Sequence, residues 1–374
     1  MNYKIKDLCE VTSSRRIFAR EYKTSGIPFF RSQEIIELST KGKTIPTIYI
    51  SNDRYNALIS KGLSVPTKGD ILMSAIGANR GYPWNVSFDG FYFKDGNVIW
   101  LRKFSNQCNS KYLTYALSTK KYISMLQTAS EHSAQVAITL DLIKNVEIDL
   151  PSIENQQHIV NTIGTIDDLI EKNDKILVSI RKLREQLFMK YSSLSSEEIN
   201  IYDIIKFENG AQPPKSEHIY ENKEGYIRFV QNRDYYSDSH ITYIPKSKKN
   251  HICSETDIMM DKYGEAGTVR YWIYGAYNVA LLKIIPQEVY ITEYIRDFLS
   301  QKKIKDILYL SSQASTRPSL NESTFNALKI PALTISQYKE YNTKLNTLLK
   351  YELLIKSKQI KLKDAKQNLL SKYF

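Results

Sequence analysis

Short polar segments rich in arginine, glutamine and asparagine follow several apolar runs of the sequence. In the first half of the chain, the candidate residues are Arg15, Arg16, Arg20, Arg31, Gln33, Asn79, Arg80 and Gln135. In the second half, they are Gln212, Lys215, Gln231, Asn232, Arg233, Lys262, Gln313 and Arg317. Arginine can form paired hydrogen bonds with guanine, glutamine or asparagine can do so with adenine, and a cation can bind a phosphate. We therefore predict that these residues bind double-stranded DNA.

The strongest candidates are Arg31 and Arg233. They lie in matched segments of the two halves, "PFFRSQEI" (28–35) and "RFVQNRDY" (228–235). For each candidate taken alone, an ordinary solvated side chain is an equally good interpretation.

The net charge also favours a polyanionic partner. The chain of 374 residues has 52 Lys and Arg against 40 Asp and Glu, a formal charge of +12. Clustered cations gain free energy by releasing the counterions of a nucleic acid. Half of this surplus lies in residues 335–374. There, a solvated helix face and proximity to DNA are equally good interpretations.

The sequence contains no catalytic motif that we recognise. It has no GxxxxGK[ST] phosphate loop and no HExxH pair, and its five histidines are scattered. His251 and Cys253 supply two ligands where zinc needs three or four. We therefore expect a chain that is not an enzyme and that holds no metal.

Cysteine spacing and hydropathy bear on the compartment. Cys9, Cys108 and Cys253 are an odd, scattered set without CxxC spacing, which is typical of a reducing environment. The sequence has neither a run of about 18 apolar residues nor an apolar leader segment. We expect a soluble cytoplasmic protein that has no membrane partner.

An apolar ladder with alternating steps of four and three residues occurs once in each half. The first copy is Ile159, Ile163, Ile166, Ile170, Asn173, Leu177, Ile180, Arg184, Leu187 and Tyr191. The second copy is Tyr341, Leu345, Leu348, Glu352, Ile355, Gln359, Leu362, Lys366, Leu369 and Tyr373. This alternation is typical of a coiled coil. Each copy is predicted to be one long helix, capped by Ser152 or Thr334.

Five ladder positions are polar where a self-sufficient dimer would have Leu or Ile. They are Asn173, Arg184, Glu352, Gln359 and Lys366. Polar residues in such a seam can fix its register and the choice of partner. We expect the two helices to pair antiparallel, with these residues at the ends of the pair or against a further protein.

The segments before the ladders also repeat. The matched pairs are 4–11 with 200–207, 28–35 with 228–235, 69–81 with 256–268, 96–102 with 277–283, and 111–117 with 293–299. Aliphatic runs, Gly turns and one late helix predict a mixed α/β unit. The predicted order is a first globular domain (1–151), a long helix (152–194), a second globular domain (195–331) and a second long helix (332–374).

This order resembles the specificity subunit of type I restriction-modification systems. The resemblance rests on the "IDLP" step followed by "SIENQQHIVNTIGTIDDLIEKNDKILVSIRKLREQLF", on a second copy that ends "QNLLSKYF", and on the "GDILMS" strand. It implies an α/β (α+β) fold with two target-recognition domains, a spacer of two long antiparallel helices forming a coiled coil, and a pseudo-two-fold internal repeat. Each domain would read one half of an asymmetric bipartite DNA target.

The resemblance also implies partner proteins. Two modification (methyltransferase) subunits would dock on the helices to methylate adenine, and a restriction (translocase-nuclease) subunit would join them. S-adenosylmethionine, ATP and Mg would then belong to those subunits and not to this chain. The candidate docking residues are Ile153, Leu169, Leu183 and Phe188. These four could equally complete an apolar stripe against the recognition domains.

Two other functions stay open. A coiled-coil adaptor with protein-binding heads would explain the long helices but not the basic loops. A specificity subunit whose partner is a fused methyltransferase and nuclease would share every feature above.

Overall fold

The chain folds as two successive series of short strands and helices, each followed by one long helix. A computed structural model describes residues 1–61, 64–131, 136–236, 238, 240–313 and 319–374. The strands of the first series are β1 (Asn2–Lys4), β2 (Glu10–Thr12), β3 (Ile27–Phe30), β4 (Tyr49–Ile50), β5 (Ile71–Ser74), β6 (Pro83–Asn85), β7 (Tyr92–Phe93), β8 (Val98–Arg102) and β9 (Glu147–Asp149). The helices are α1 (Ile5–Leu8), α2 (Ser32–Lys41), α3 (Asn52–Ser60), α4 (Ser110–Leu117), α5 (Lys120–Glu131), α6 (Leu140–Lys144) and α7 (Ile153–Ser192).

The second series has a similar content with more 3-10 helix. Its strands are β10 (Glu198–Asn200), β11 (Ile205–Asn209), β12 (Tyr226–Val230), β13 (Tyr243–Pro245), β14 (Ile252–Cys253), β15 (Ile258–Asp261), β16 (Val269–Arg270), β17 (Gly275–Tyr277), β18 (Leu281–Pro286) and β19 (Lys329–Pro331). Its α-helices are α8 (Thr292–Leu299), α9 (Lys302–Ser312) and α10 (Ile335–Tyr373). Short 3-10 helices lie at Ala19–Glu21, Ile201–Ile204, Lys215–Glu217, Asn232–Tyr235, Val289–Ile291 and Glu322–Ala327.

The residues divide into two units, which we describe separately. The first unit comprises residues 1–169 and 362–374, and the second comprises residues 170–361. Each long helix therefore contributes one segment to each unit. We call the part of a unit outside the long helices its head.

The two heads share one topology, which confirms the predicted internal repeat. The first head has a sheet of order β2-β8-β5-β6, and the second has the equivalent order β11-β18-β15-β16. A second sheet runs β4-β3-β7 in the first head and β13-β12-β17-β14 in the second. The ends of each head are joined by a two-stranded ribbon, β1-β9 or β10-β19. Both heads are mixed α/β units, as the sequence predicts.

Matched backbone hydrogen bonds fix which residues of the two heads are equivalent. They pair Phe29 N to Ile48 O (2.9 Å) with Phe229 N to Thr242 O (2.7 Å), and Lys94 N to Phe30 O (2.9 Å) with Asn278 N to Val230 O (3.1 Å). A further match pairs Ala75 N to Asn97 O with Lys262 N to Ala280 O, each at 2.9 Å. The segments 28–35 and 228–235 are therefore equivalent, as predicted.

One predicted match is wrong by two residues. Strand β5 places Ser74 opposite Val98, and strand β15 places Asp261 opposite Leu281. Val98 is thus equivalent to Leu281, whereas the sequence match paired it with Val279. The shared "NV" letters produced the error, and a shift of two residues preserves the alternation of faces, so hydropathy alone does not reveal it.

The long helices follow the ladder. Helix α7 has 40 residues and α10 has 39, and no ladder residue of either helix is exposed. In the second unit, Gln359 Nε2 donates to Asp174 Oδ1 (2.7 Å), and the rings of Tyr191 and Tyr341 pack at 5.1 Å. Residues later in α7 thus contact residues earlier in α10. The predicted antiparallel pairing is confirmed.

In the first unit, the polar ladder residue Lys366 is bound beside the head. Its ammonium lies 2.6 Å from Asp167 Oδ1 on α7. The other oxygen of Asp167 accepts a hydrogen bond from the hydroxyl of Tyr115 on α4, at 2.7 Å. The long helices are therefore linked to α4 through one shared carboxylate.

In the second unit, the equivalent ladder residue Arg184 makes a buried ion-pair cluster with the head. Its Nε donates to Asp297 Oδ1 (2.7 Å) and its Nη2 to Glu293 Oε2 (2.6 Å), both on α8. Burial works to raise the pKa of Glu293, but the charges of Arg296 and Arg184 outweigh it and hold the pKa below its ordinary value. Tyr341 on α10 donates to Asp297 Oδ2 at 2.6 Å.

These contacts correct the expectation for the polar ladder residues. Arg184 is only 5% exposed and Glu352 only 7% exposed. Glu352 accepts a hydrogen bond from Tyr271 of the second head at 2.6 Å. Arg184, Glu352 and Lys366 therefore lie against the heads, whereas Gln359 contacts Asp174 on the other long helix. Burial of a charge is tolerated here because each one has a partner.

Other properties concern hydropathy and the cysteines. Among the described residues, no helix combines the length and the apolar character that a membrane crossing requires. Cys9, Cys108 and Cys253 are free thiols and are buried. Burial raises the pKa of the Cys253 thiol to about 12, so this group stays protonated and unreactive at neutral pH.

The cluster around Arg184 yields a stability prediction. Replacing Arg184 with Met should cost about 3–5 kcal/mol, because it leaves Glu293 and Asp297 buried without one of their cations. Urea unfolding together with hydrogen exchange of the α8 amides measures this cost. Arg181→Met, at an exposed position one turn earlier, is the matched control and should change stability by less than about 0.5 kcal/mol. Equal effects of the two variants would contradict a specific role for the cluster.

Candidate nucleic-acid interface

Four chain segments of the first head meet at one edge of its sheets. Strands β2 and β5 both pair antiparallel with β8, so their carboxyl ends lie at the same edge. The end of β3 joins them through Ser32 Oγ, which donates to Asn97 O at 3.1 Å. Ser13 Oγ donates to Val98 O at 2.8 Å. We call residues 13–16, 31–33, 75–79 and 94–97 the loop edge of the first head.

The second head has the same loop edge, formed by residues 209–215, 231–233, 262–264 and 278–280. Lys262 Nζ donates to Asn209 Oδ1 at 2.7 Å, which joins the segment after β15 to the last residue of β11. Asn232 Nδ2 lies 3.5 Å from Tyr263 O, which brings the segment after β12 beside the same loop. In both heads the fold thus gathers polar side chains that are far apart in sequence.

Most predicted base-reading residues of the first head lie on this edge. Gln33 and Asn79 are exposed and line one depression of about 380 Å³ together with Ser32 and Gly77. Arg15 and Arg16 are exposed in the segment after β2. The fold therefore brings these four candidates to one surface.

Arg16 and Arg20 keep much of their surface in solvent. The Nε atom of Arg16 lies 2.9 Å from Asp95 Oδ2, and the Arg16 side chain is 69% exposed. The guanidinium of Arg20 lies over the ring of Phe18, 5.3 Å from its centroid. Exposed pairs of this kind are weak and are easily exchanged for a phosphate contact.

Arg31 has a structural role at the start of α2. Its Nη2 donates to Glu34 Oε1 (2.7 Å) and its Nε to Glu34 Oε2 (3.3 Å), so one edge of the guanidinium forms a bidentate ion pair. Burial works to raise the pKa of Glu34, but the hydrogen bonds from Arg31 outweigh it and lower the pKa. Glu34 also accepts from the Arg31 backbone N at 2.9 Å, which caps α2.

Arg80 is the clearest correction among the predicted DNA contacts. It is only 8% exposed. Its Nε donates to Ser130 Oγ (2.6 Å) and its Nη2 to Gln127 O (3.0 Å), both on α5. The residue thus fastens the loop after β5 to that helix. A guanidinium that is buried and bonded in this way is not available to a base edge.

The candidates of the second head are placed similarly. Gln212 is exposed and lines a cavity of about 600 Å³, together with Phe229 and His251. Gln231 Nε2 donates to Thr242 Oγ1 at 3.3 Å. The remaining exposed candidates are Lys215, Arg233 and Gln313, and Asn232 and Lys262 are half-buried. Gln313 lies at the end of α9 and not on the loop edge, and Gln135 and Arg317 lie outside the described residues.

The candidate docking residues on α7 divide into two groups. Phe188 is buried and packs against Tyr294 and Phe298 of the second head, with ring centroids 5.0 and 6.2 Å apart. It therefore completes the apolar stripe against its own head, and its prediction as a docking residue is wrong. Ile153, Leu169 and Leu183 are between 40% and 43% exposed.

Ladder geometry explains this division. Four apolar residues that directly follow a ladder residue, at points where the next ladder step is four residues, are buried: Val160, Phe188, Leu349 and Leu370. Four that directly precede a ladder residue, at points where the next ladder step is three residues, are exposed: Leu169, Ile176, Leu183 and Tyr351. One flank of each helix therefore faces a head, and the opposite flank of each helix is exposed.

Comparison with known proteins gives the family. A family model described as "Type I restriction modification DNA specificity domain" matches residues 1–182 and, a second time, residues 195–363. The chain belongs to this family. Its loop edges are thus the loop edges of two DNA specificity domains.

Named relatives agree with this membership. This chain is 27% identical over 308 residues to the "Type I restriction enzyme MjaIX specificity subunit" of Methanocaldococcus jannaschii. The match covers 70% of this chain and 66% of the relative. The chain is 22% identical over 298 residues to the "Putative type I restriction enzyme MjaX specificity subunit" of the same organism, covering 71% and 67%. The matches thus span about two thirds of each relative's length.

A solved structure shares the fold. It is the "Type-I restriction-modification system S subunit from M. genitalium", with a TM-score of 0.64 and 17% identity. The similarity covers 100% of this chain and 96% of that subunit. At this identity, the similarity concerns the fold alone.

Part of the two loop edges was not predicted from the sequence. Lys94 and Asn278 lie just before β8 and β18, and each donates its backbone N–H to the end of β3 or β12. Both residues precede a strand, whereas the predicted sites follow strands. The polar letters "KDGN" at 94–97, placed between two apolar strands, were the available signal.

Among the described residues, no group of three or more His, Cys, Asp or Glu could hold a metal ion.

The structural role of Arg80 can be tested beside its neighbour. Arg80→Ala removes the hydrogen bonds to Ser130 and Gln127 and should destabilise the protein by roughly 1–3 kcal/mol. Asn79→Ala, one residue earlier and exposed, should leave stability unchanged. Thermal unfolding of both variants measures the difference. A stable Arg80→Ala protein with an altered DNA base preference would restore the original assignment.

Proposed function

We propose that this chain is the DNA-reading subunit of a type I restriction-modification complex. Each head reads one half of a bipartite target through its loop edge. The observation that carries this proposal is the repetition of one loop edge, on one topology, with different side chains in the two halves. Family membership supports it.

Differences between the loop edges make the target asymmetric. The segment after β2 presents Arg15 and Arg16, whereas the segment after β11 presents Gln212 and Lys215. Because side-chain chemistry determines base preference, two such surfaces select different half-sites. A true two-fold dimer would instead select a palindrome.

The long helices set the gap between the half-sites. A straight helix of forty residues is about 60 Å long. The ladder residues pack two such helices against each other. The ion pairs of Asp167 and Arg184 bind each head to its own segment of the helix pair. Changes in the helices would therefore alter the spacing of the target without changing the bases that are read.

Modification subunits dock on the exposed flank of the helices. Ile176 and Leu183 lie seven residues apart on one face of α7, and Tyr351 holds the corresponding position on α10. In an antiparallel pair, residues at these positions lie on the same side. Exposed apolar residues at this spacing suit the docking of a partner helix.

Chemistry is supplied by the partners. We infer that methyltransferase subunits bind S-adenosylmethionine and that a translocase-nuclease subunit uses ATP and Mg. This chain selects the DNA sequence and holds the subunits together. A partner in which methyltransferase and nuclease are fused would fit this surface equally well, and the adjacent reading frames distinguish the two. A reducing, cytoplasmic location suits the three free cysteines.

The salt dependence of binding distinguishes DNA reading from a protein adaptor. If about six to ten phosphates are neutralised, DNA affinity should fall by roughly 10³- to 10⁵-fold between 50 and 200 mM salt. Fluorescence anisotropy of a labelled duplex measures it. An adaptor with protein-binding heads would show weak DNA binding at every salt concentration, and that result would remove the proposal.

Docking can be tested by one charge on the exposed flank. Leu183→Glu should abolish co-purification with the methyltransferase, because a carboxylate would then be buried against the partner. Leu310→Glu on α9 is the matched control, since Leu310 is 69% exposed and lies on a head. Retention of the partner by both variants would show that docking occurs elsewhere.

A further inference from the structure

Residues 33 and 233 occupy the same position in the two heads. A carboxylate three residues ahead caps the backbone in each: Arg31 N donates to Glu34 Oε2 (2.9 Å), and Gln231 N donates to Asp234 Oδ2 (3.0 Å). Residue 31 is therefore equivalent to residue 231, and residue 33 to residue 233.

Strand register gives the same equivalence independently. Phe29 pairs in parallel with Tyr92, and Phe229 pairs in parallel with Ala276. The next residue of each strand accepts the backbone hydrogen bond from Lys94 or Asn278. The two segments therefore leave their sheets at the same place and in the same direction.

Arginine and glutamine are exchanged between the two heads at these positions. The first head reads Arg31-Ser32-Gln33, and the second reads Gln231-Asn232-Arg233. Arginine suits guanine and glutamine suits adenine, so the order of the two chemistries is reversed.

The inner residue of each segment is bonded within its head, while the outer residue keeps more of its side chain in solvent. The Arg31 guanidinium is held by Glu34, and the Gln231 amide is held by Thr242 at 3.3 Å. Gln33 is exposed, and within the described parts of the chain its side-chain amide has no hydrogen-bond partner. The Arg233 side chain is 53% exposed.

Local charge favours a base edge over a phosphate as the target of residue 233. The buried carboxylate of Asp234 lies 3.9 Å from Arg233 Nε, and Glu34 holds the equivalent position in the first head. A carboxylate repels a phosphate group. Arg233 Nη2 is also oriented by His240 O (3.4 Å) and Thr242 Oγ1 (3.3 Å).

We propose that residues 33 and 233 are equivalent specificity-determining positions, Gln33 reading adenine in one half-site and Arg233 reading guanine in the other. This inference rests on the proposed function, because it presumes that the loop edges face DNA. It adds that one structural position sets one base pair of each half-site.

The test exchanges the two side chains. The full chain, purified with its modification subunits, selects bound sequences from a random double-stranded pool, and the same is done for Gln33→Arg and Arg233→Gln. Gln33→Arg should change one adenine of one half-site to guanine. Arg233→Gln should make the opposite change in the other half-site. The preference at the affected base pair should shift by roughly 5- to 150-fold.

A matched control separates specificity from charge. Lys303→Gln on α9 removes one exposed cation, as Arg233→Gln does, and should leave the selected sequence unchanged. If Arg233→Gln lowers affinity for all sequences equally, Arg233 contacts a phosphate and the inference is wrong. If the wild-type complex selects no bipartite sequence, the proposed function fails and the inference fails with it. Wild-type selection with unchanged variants overturns the inference alone.

Discussion

The anchoring of polar ladder residues beside the heads is the interaction on which the architecture depends. Arg184 and Lys366 occupy equivalent ladder positions, and each is neutralised beside the late helix of a head, by Glu293 and Asp297 or by Asp167. An unpaired charge in such a seam would cost several kcal/mol. Each head is therefore confined to one site on the helix pair. A continuous apolar seam would have allowed the heads and the helices to slip in register.

Local periodicity made the fold predictable, and long-range contacts made part of it unpredictable. The four-three alternation depends only on side chains within one helix, so both long helices could be read from the sequence. The strand register before β18 could not, because Val279 and Leu281 give the same apolar alternation, and only the pairing of Leu281 with Asp261 distinguishes them. Similarly, nothing near Arg184 in the sequence indicated that two carboxylates more than a hundred residues later would bind it.

The candidate site was predictable as a set of segments and less so as individual side chains. Polar residues after apolar runs identified most of the loop edges. The engaged state of Arg31 was available in principle, because Glu34 three residues later completes a capping pattern. The burial of Arg80 was not, since its partners Gln127 and Ser130 lie on a helix that packs beside it only in three dimensions. Exposure, which decides what can read a base, depends on such distant partners.

The order of the helices along the chain has a consequence for biosynthesis. Helix α7 ends at Ser192, but its ladder partner α10 is complete only at Tyr373. At translation rates of about 5–20 residues per second, the apolar side of α7 stays exposed for roughly 10–40 s before the whole of α10 has been synthesised. During that interval the nascent chain exposes part of a coiled-coil seam beside a first head that has been translated but still lacks its contacts with α10. A chaperone, or the seam of a second nascent chain on the same messenger, would compete with α10 for that surface.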